Sequence, residues 1–108
     1  GLAEVQAAAG WPVVVFMPLY RAVRQHTGDL ALMGRTYDVW VGGRREEVRF
    51  FREVQPPPGP RVVFVDHPAF FNRAGLYGEG GHDYPDNARR FATFARAVLA
   101  GVPRLIQG

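Results

Sequence analysis

The chain has 108 residues, 47% of them hydrophobic, no cysteine and a formal net charge of +3. This length fits one small domain or a piece of one, since domains usually have about 100 to 150 residues. Without cysteine there is no disulfide framework or thiolate metal site. The sequence also has no apolar run of about 20 residues and no signal-peptide pattern, so we expect a cytoplasmic protein with no membrane partner.

The first third of the chain predicts a short helix, a turn and a buried strand. Residues 1–9 are rich in alanine and favour a helix, which the Gly-Trp-Pro sequence of residues 10–12 interrupts. The apolar run of residues 13–17 does not alternate with polar residues, which is typical of a parallel strand covered on both faces, and Pro18 ends it. Residues 19–34 show no dominant pattern, and we expect them to be irregular.

A β-hairpin and a second buried strand are predicted next. Residues 35–41 alternate between apolar and polar side chains, a pair of glycines indicates a tight turn, and residues 44–53 form the return strand. Residues 55–60 contain four prolines and predict a stiff exposed connection. Residues 61–66 are then predicted to form a buried strand.

A long segment without apolar periodicity follows this strand. Residues 66–83 are rich in glycine, aromatic and polar residues. In α/β proteins the loops at the ends of parallel strands are where ligands bind. We therefore expect the functional site in this segment.

The last third of the chain contains the clearest helix. Its apolar residues recur at spacings of three and four, with Pro85 in the first turn. The N-cap is predicted at Asp83 or Tyr84, and Gly101 and Pro103 are predicted to close the helix.

Two stretches of this sequence resemble bacterial glycogen synthases and starch synthases. Residues 64–78 contain a strand that ends in Val-Asp, an aromatic-rich loop with an Asn-Arg pair, and a turn that carries a tyrosine. Residues 83–94 begin a helix with Asp-Tyr-Pro-Asp-Asn. These parts follow the order seen in the family, and the hairpin and the opening Gly-Leu-Ala-Glu extend the resemblance over nearly the whole chain. The sequence resembles the N-terminal catalytic domain of glycosyltransferase family 5, cut short at both ends.

The resemblance implies an α/β fold. Residues 1–108 would form a partial Rossmann-like, acceptor-side lobe of a GT-B glycosyltransferase, with the β-hairpin as an insertion. The family's enzymes transfer glucose from ADP-glucose to the non-reducing end of an α-1,4-glucan, with retention and without a metal or other cofactor. Because that reaction needs two lobes across a cleft, we expect these residues alone to be inactive. A lobe without its first strand would also leave a sheet edge open to self-association.

The resemblance assigns substrate binding to the start of the chain. Gly1 and Glu4 match the end of the family's Lys-x-Gly-Gly-Leu-Ala-Asp motif, with glutamate in place of aspartate. A glycine lets the backbone approach a phosphate, and a helix N-terminus favours negative charge. The motif's lysine would precede residue 1, and the sequence contains no other lysine.

The resemblance also assigns roles to three later residues. Tyr77 matches a tyrosine that faces the family's active-site cleft, and it is the candidate catalytic and substrate-binding residue. Asp86 and Asn87 match an Asp-Asn pair at a helix start. Both are candidate substrate-binding residues through acceptor hydroxyls, but a capping role for the first helical turn is favoured.

Two alternative functions are weighed against this one. A non-catalytic α-glucan-binding module would use aromatic side chains as stacking platforms, and the candidates are Phe70, Phe71, Tyr77 and Trp40. A nucleic-acid binder is disfavoured because the arginines are scattered over different elements and do not form a basic stripe. The three histidines, His26, His67 and His82, lack the spacing of metal ligands, and we expect no metal site.

Overall fold

The computed structural model describes residues 13–105 of the chain. The helix predicted at residues 1–9, the turn at residues 10–12 and the candidates Gly1 and Glu4 lie outside these residues. The described elements, in chain order, are β1 (Val14–Pro18), α1 (Arg21–Arg24), β2 (Leu30–Leu32), β3 (Tyr37–Val41), β4 (Arg44–Glu53), β5 (Arg61–Asp66), α2 (Pro68–Phe71), β6 (Gly78–Glu79), β7 (His82–Asp83) and α3 (Asn87–Leu105).

The main sheet has five strands and mixes parallel with antiparallel pairing. β1 runs parallel to β5, with Pro18 opposite Val65. On its other side β5 pairs antiparallel with β4, which also pairs antiparallel with β2 and β3. Because β1 and β5 are parallel and in register, the chain segments that follow them leave the same edge of the sheet. That edge carries the candidate site.

The predicted hairpin is present as β3 and β4. Gly42 and Gly43 have φ angles of 57° and 74°, and a tight hairpin turn of this kind requires positive φ at both central positions, which glycine adopts without strain. Val39 and Val48 are buried, whereas Trp40 on the opposite face is 60% exposed. The alternation read from the sequence therefore assigns the two faces of the hairpin correctly.

The core lies between this sheet and one face of α3. Its buried members come from β3, β4, β5 and α3, and they are Val39, Val48, Phe50, Val63, Val65 and Ala97. The helix supplies further half-buried contacts through Phe94, Ala100 and Leu105. The helical spacing of apolar residues predicted this contact, since positions three and four apart share a face.

The opposite face of the sheet is less well covered than the sequence predicts. Residues 14–17 of β1 are only half-buried, so the expectation of a strand covered on both faces is wrong for the described residues. On this side an open apolar groove of ≈ 590 Å³ lies over β1 and β5, and Met17, Val62 and Phe64 line part of it.

The end of α3 differs from the prediction. The helix continues through Gly101 and Pro103 to Leu105, although both residues favour helix ends. Gly101 lies against the buried ring of Phe50, where a β-carbon would be only 2.9 Å from two ring atoms. Gly101 therefore allows close packing of the helix on the sheet, and the contact of Leu105 with the core extends the helix beyond the proline.

The start of α3 also differs from the prediction. The helix begins at Asn87, so the predicted N-cap at Asp83 or Tyr84 is wrong. The backbone N–H of Tyr84 donates to the carbonyl of Tyr77 at 2.9 Å, which holds this part of the chain in the preceding loop. The first helical bond described runs from the Arg90 N–H to the Asp86 carbonyl at 2.9 Å.

Two segments expected to be irregular contain short regular elements. Residues 19–34 include the single turn α1 and the strand β2, which exists because it pairs with β4. Residues 66–83 include the single turn α2 and the small hairpin of β6 and β7. Within the described part of the chain, no helix has the length and apolar character needed to cross a bilayer.

Candidate functional site

Two loops meet at the edge of the sheet where β1 and β5 end. Arg21, at the start of α1, donates from Nε to Oδ1 of Asn72 at 3.1 Å and from Nη2 to the Asn72 carbonyl at 2.8 Å. The ring of Tyr20 contacts that of Phe71 edge to face, with centroids 5.8 Å apart. These contacts join the segment after β1 to the segment after β5.

The segment of residues 72–86, which we call the Tyr77 loop, is closed by an ion pair. Arg73 donates from Nη1 and Nη2 to the two carboxylate oxygens of Asp86, each at 2.7 Å. The hydrogen bond from Arg73 lowers the pKa of Asp86, partial burial opposes this, and the charge of Arg73 lowers the pKa further. The pair therefore ties both ends of the loop together at neutral pH.

Tyr84 organises the interior of the Tyr77 loop. Its hydroxyl accepts from the Gly75 N–H at 3.1 Å and donates to Oε1 of Glu79 at 2.6 Å. A β-carbon at Gly75 would overlap the carbonyl oxygen of Gly78, and one at Gly78 would overlap the carbonyl of His82. The loop therefore needs glycine at both positions because its backbone segments touch.

Tyr77 is held by its backbone while its side chain faces outward. Its carbonyl accepts from the Tyr84 N–H at 2.9 Å and from Nδ2 of Asn87 at 2.8 Å. Its side chain is 58% exposed, and its ring tilts against Phe91 with centroids 5.7 Å apart. A fixed backbone and an exposed aromatic ring suit a contact with a ligand, because little order is lost on binding.

Arg90 lies beneath this arrangement with no exposed surface. Its Nε donates to the Phe70 carbonyl at 2.7 Å and its Nη1 donates to Oδ1 of Asn87 at 2.6 Å. The guanidinium carbon also lies 4.8 Å from the ring centroid of Tyr84 and 5.3 Å from that of Phe91. Burial lowers the pKa of Arg90, and the neighbouring charge of Arg73 lowers it further.

Tyr20 adds a second phenol to the site. Burial raises the pKa of Tyr20 above its usual value, the nearby Tyr77 hydroxyl adds to the rise, and Arg90 opposes it. The rise favours the protonated form of the Tyr20 hydroxyl, which can donate a hydrogen bond.

A second polar cluster fixes the hairpin beside the site. Glu46 of β4 contacts Nε2 of His67 at 3.0 Å and accepts from Nε of Arg89 at 2.6 Å. Arg89 also donates to the Val41 carbonyl at 2.7 Å. Burial raises the pKa of Glu46, but the hydrogen bonds from His67 and Arg89 outweigh it, so the net pKa is below the usual value.

The structure brings three of the predicted site residues together. Tyr77, Asp86 and Asn87 share the Tyr77 loop and the start of α3. Among the described residues, the side chains of Asp86 and Asn87 bond to Arg73, Tyr77 and Arg90 and not to helix amides. The favoured capping role is therefore replaced by a role in holding the loop.

The proposed stacking platforms divide into two groups. Phe71 is fully buried and Phe70 is 8% exposed, stacked on His67 at 3.9 Å. Neither can present a ring face to a sugar, so their assignment as platforms is wrong. Trp40 and Tyr77 are exposed. Among the described residues no group of histidine, aspartate and glutamate could hold a metal ion.

Sequence reasoning missed the residues that support Tyr77. Tyr20 and Arg21 lie in a segment without a dominant sequence pattern, and Arg90 is one of many scattered arginines. One signal was present, because Tyr20 follows directly after a predicted parallel strand, at the edge where such folds bind ligands. No signal in the sequence marked Arg90 as buried.

The fold defines the class of the protein. The structure matches the catalytic domain of starch synthase IV from Arabidopsis thaliana, solved with ADP and acarbose bound, with a TM-score of 0.74 and 26% sequence identity. The match covers 94% of this chain and 20% of that chain. The mixed α/β arrangement is thus that of a GT-B glycosyltransferase, as the sequence predicted.

The sequence comparisons identify the family. The starch synthase catalytic domain family matches residues 1–107, and the chain belongs to this family. It is 37% identical to the glycogen synthase of Syntrophotalea carbinolica, covering 97% of this chain and 23% of that protein. It is 39% identical to that of Koribacter versatilis, covering 88% of this chain and 19% of that protein. The chain spans about a fifth of the length of these relatives.

Proposed function

We propose that this chain forms part of the acceptor-side lobe of a glycogen or starch synthase. In this proposal the complete enzyme transfers glucose from ADP-glucose to the non-reducing end of an α-1,4-glucan, with retention of configuration and in the cytoplasm. Family membership supports the enzyme class. The starch synthase IV structure was solved with ADP and acarbose bound, which supports a nucleotide and a glucan-like sugar as ligands.

The observation that carries the acceptor-side assignment is the exposure of Tyr77 on a loop with a fixed backbone. The Arg73–Asp86 pair closes this loop, and Asn87 fixes the carbonyl of Tyr77. An exposed phenol can stack its ring on a sugar and bond a hydroxyl through its oxygen. We assign Tyr77 to contact the glucan acceptor near the reacting sugar, with Asp86 and Asn87 acting through the loop.

We further propose that residues 1–108 alone do not transfer glucose. The sequence contains no lysine to neutralise the charge that develops on the leaving ADP. Gly1 and Glu4 remain the proposed donor-phosphate residues. Transfer also requires donor and acceptor to be held together, and this proposal assigns most of the donor contacts to a second lobe.

The test is an NMR titration of the 108-residue chain with maltoheptaose and, separately, with ADP-glucose. We expect maltoheptaose to shift the resonances of Tyr77 and Asn87. When maltoheptaose and ADP-glucose are then added to one sample, we expect no elongation of the maltoheptaose. Tyr77→Ala should abolish the shift at Asn87, while Tyr77→Phe should weaken binding about threefold, by loss of one hydroxyl contact. Trp40→Ala is the matched control, because Trp40 is equally exposed but lies on the outer face of the hairpin.

The same titration separates the proposal from a non-catalytic glucan-binding module. A module that uses Trp40 as its main platform would lose maltoheptaose binding in Trp40→Ala and keep it in Tyr77→Ala. No response of Tyr77 to maltoheptaose in the folded chain would contradict the acceptor-side assignment. Testing glucan elongation after the chain replaces the matching segment of a bacterial relative would then address the activity of the complete enzyme.

A further inference from the structure

Arg90 is the largest side chain that the described fold buries completely. A buried arginine normally has a carboxylate partner, because moving its charge out of water is costly. Arg90 instead bonds two neutral oxygens, the Phe70 carbonyl and Oδ1 of Asn87. Its Nη2 atom is buried without a hydrogen-bond partner among the described residues. This arrangement requires an explanation beyond simple packing.

The bonds of Arg90 lead directly to Tyr77. Nη1 of Arg90 donates to Oδ1 of Asn87 at 2.6 Å, and Nδ2 of the same amide donates to the Tyr77 carbonyl at 2.8 Å. A guanidinium group can only donate, so its bond to Oδ1 forces the amide to turn its NH₂ group towards Tyr77. The charge of Arg90 thereby selects one of the two orientations of the Asn87 amide.

The aromatic rings around Arg90 fix its position as well. The guanidinium lies 4.8 Å from the ring centroid of Tyr84 and 5.3 Å from that of Phe91. Tyr84 donates its N–H to the Tyr77 carbonyl, and Phe91 contacts the Tyr77 ring. Cation–π contacts of this kind partly compensate a desolvated charge. Arg90 therefore contacts Tyr84, Asn87 and Phe91, each of which also contacts Tyr77.

We propose that Arg90 is a positioning residue for Tyr77, acting through the side-chain amide of Asn87. It holds the exposed tyrosine in one orientation before any ligand arrives, so that less conformational entropy is lost on binding. The assignment of a glucan as that ligand rests on the proposed function, whereas the effect of Arg90 on Tyr77 in the free chain does not.

The test compares Arg90→Met with Arg96→Met in the 108-residue chain. Methionine replaces the aliphatic stem of the buried side chain but lacks the guanidinium charge and its donors. Arg96 is an exposed arginine on the same helix. In Arg90→Met we expect the side-chain amide resonances of Asn87 and the ring resonances of Tyr77 to shift without ligand. The dissociation constant for maltoheptaose should rise about fivefold, because Tyr77 would then have to be ordered when the ligand binds. Arg96→Met should change neither.

Two further variants keep the test decisive if Arg90→Met fails to fold. Asn87→Asp retains an oxygen for Arg90 but replaces the donor to Tyr77, so it should stay folded and shift the Tyr77 resonances. Arg90→Lys keeps the charge but cannot reproduce both bonds of the planar guanidinium. Its Tyr77 and Asn87 signals should therefore differ from those of the wild-type chain. Full restoration by lysine would overturn the proposal.

The remaining outcomes are distinguishable from failure of the proposed function. Unchanged Tyr77 and Asn87 signals in a folded Arg90→Met chain would show that Arg90 only fills space. Unchanged Tyr77 signals in Asn87→Asp would show that the Asn87 amide does not hold Tyr77, which would overturn the link through which Arg90 acts. If the wild-type chain does not bind maltoheptaose, the proposed function fails at this loop. The ligand-free signals of the same variants still decide the positioning role in that case.

Discussion

Arg73 and Asp86 form a two-pronged ion pair that spans the Tyr77 loop, with both N–O distances at 2.7 Å. A guanidinium matches a carboxylate in this geometry because its two N–H groups are parallel and fixed in one plane. The pair connects the one arginine of the loop with the residue that precedes α3. It is the main tie between the two ends of the loop, and the first prediction depends on it.

We expect Asp86→Asn to loosen the Tyr77 loop without unfolding the chain. The variant keeps the size of the side chain. It replaces a carboxylate that accepts two charged hydrogen bonds from Arg73 with an amide that has one neutral acceptor oxygen. Hydrogen exchange of the loop amides should become about tenfold faster, since local opening needs less free energy. Asp83→Asn, at an exposed acidic residue of the same loop, is the control and should change nothing. Equal effects of the two variants would contradict the role of the pair.

Gly101→Ala should destabilise the fold although alanine is the better helix former. Alanine gains about 1 kcal/mol of helix propensity over glycine, but its methyl group would lie 2.9 Å from the buried Phe50 ring. Overpacking of a core usually costs about 1–3 kcal/mol. We expect the free energy of unfolding, measured in urea, to fall by about 1 kcal/mol.

Two controls test the cause of the Gly101 effect. At Gly28 a methyl group would have no other atom within 4 Å, so Gly28→Ala should change stability by less than about 0.5 kcal/mol. In a Phe50→Leu background the ring is gone, and Gly101→Ala should become neutral or stabilising. Stabilisation by Gly101→Ala in the wild-type background would show that the helix does not approach Phe50 this closely.

We expect Gly75→Ala to disrupt the Tyr77 loop more than any surface substitution. The new β-carbon would meet a backbone carbonyl, that of Gly78, and a carbonyl in a closed loop cannot swing aside as a side chain can. The shifts that maltoheptaose induces at Tyr77 should weaken or vanish, while the core resonances of Val63 and Val65 should stay unchanged. Wild-type titration behaviour of Gly75→Ala would contradict the described close approach.

Stability should depend on pH through Glu46. Its pKa in the folded chain is below the ordinary value of 4.5, so folding favours the charged form. The resulting stabilisation is fully present above pH 4.5 and is lost as the pH falls through the lower folded pKa. The difference in unfolding free energy between wild type and Glu46→Gln should therefore shrink with acidification. If the difference in unfolding free energy grows as the pH falls below 4.5, the pKa of Glu46 is not lowered by folding.

The four longer strands, β1, β3, β4 and β5, and the main helix were readable from local sequence patterns. Alternation predicted the inward faces of Val39 and Val48, and the glycine pair predicted the turn between β3 and β4. The family could also be recognised, because Asn72-Arg73, Tyr77 and the Asp86-Asn87 pair occur in the expected order. These features depend on neighbours within a few residues, so periodicity and motif order reveal them.

The errors share one physical cause, which is that contacts between distant residues override local preference. Gly101 reads as a helix end until the ring of Phe50 is placed beside it. Phe70 and Phe71 read as sugar platforms until their burial beneath the loop is known. β2 exists only because β4 supplies its hydrogen-bond partners.

The sequence by itself determined the fold class, the hairpin, the core face of α3 and the candidate residues Tyr77, Asp86 and Asn87. Only the tertiary structure decided what those residues do to one another. It buried Arg90 under the loop and linked it through Asn87 to the Tyr77 carbonyl. The hydrogen bonds from Arg90 to Phe70 and from Asn87 to Tyr77 join residues 20 and 10 positions apart in the chain. No local sequence pattern encodes distances between such residues.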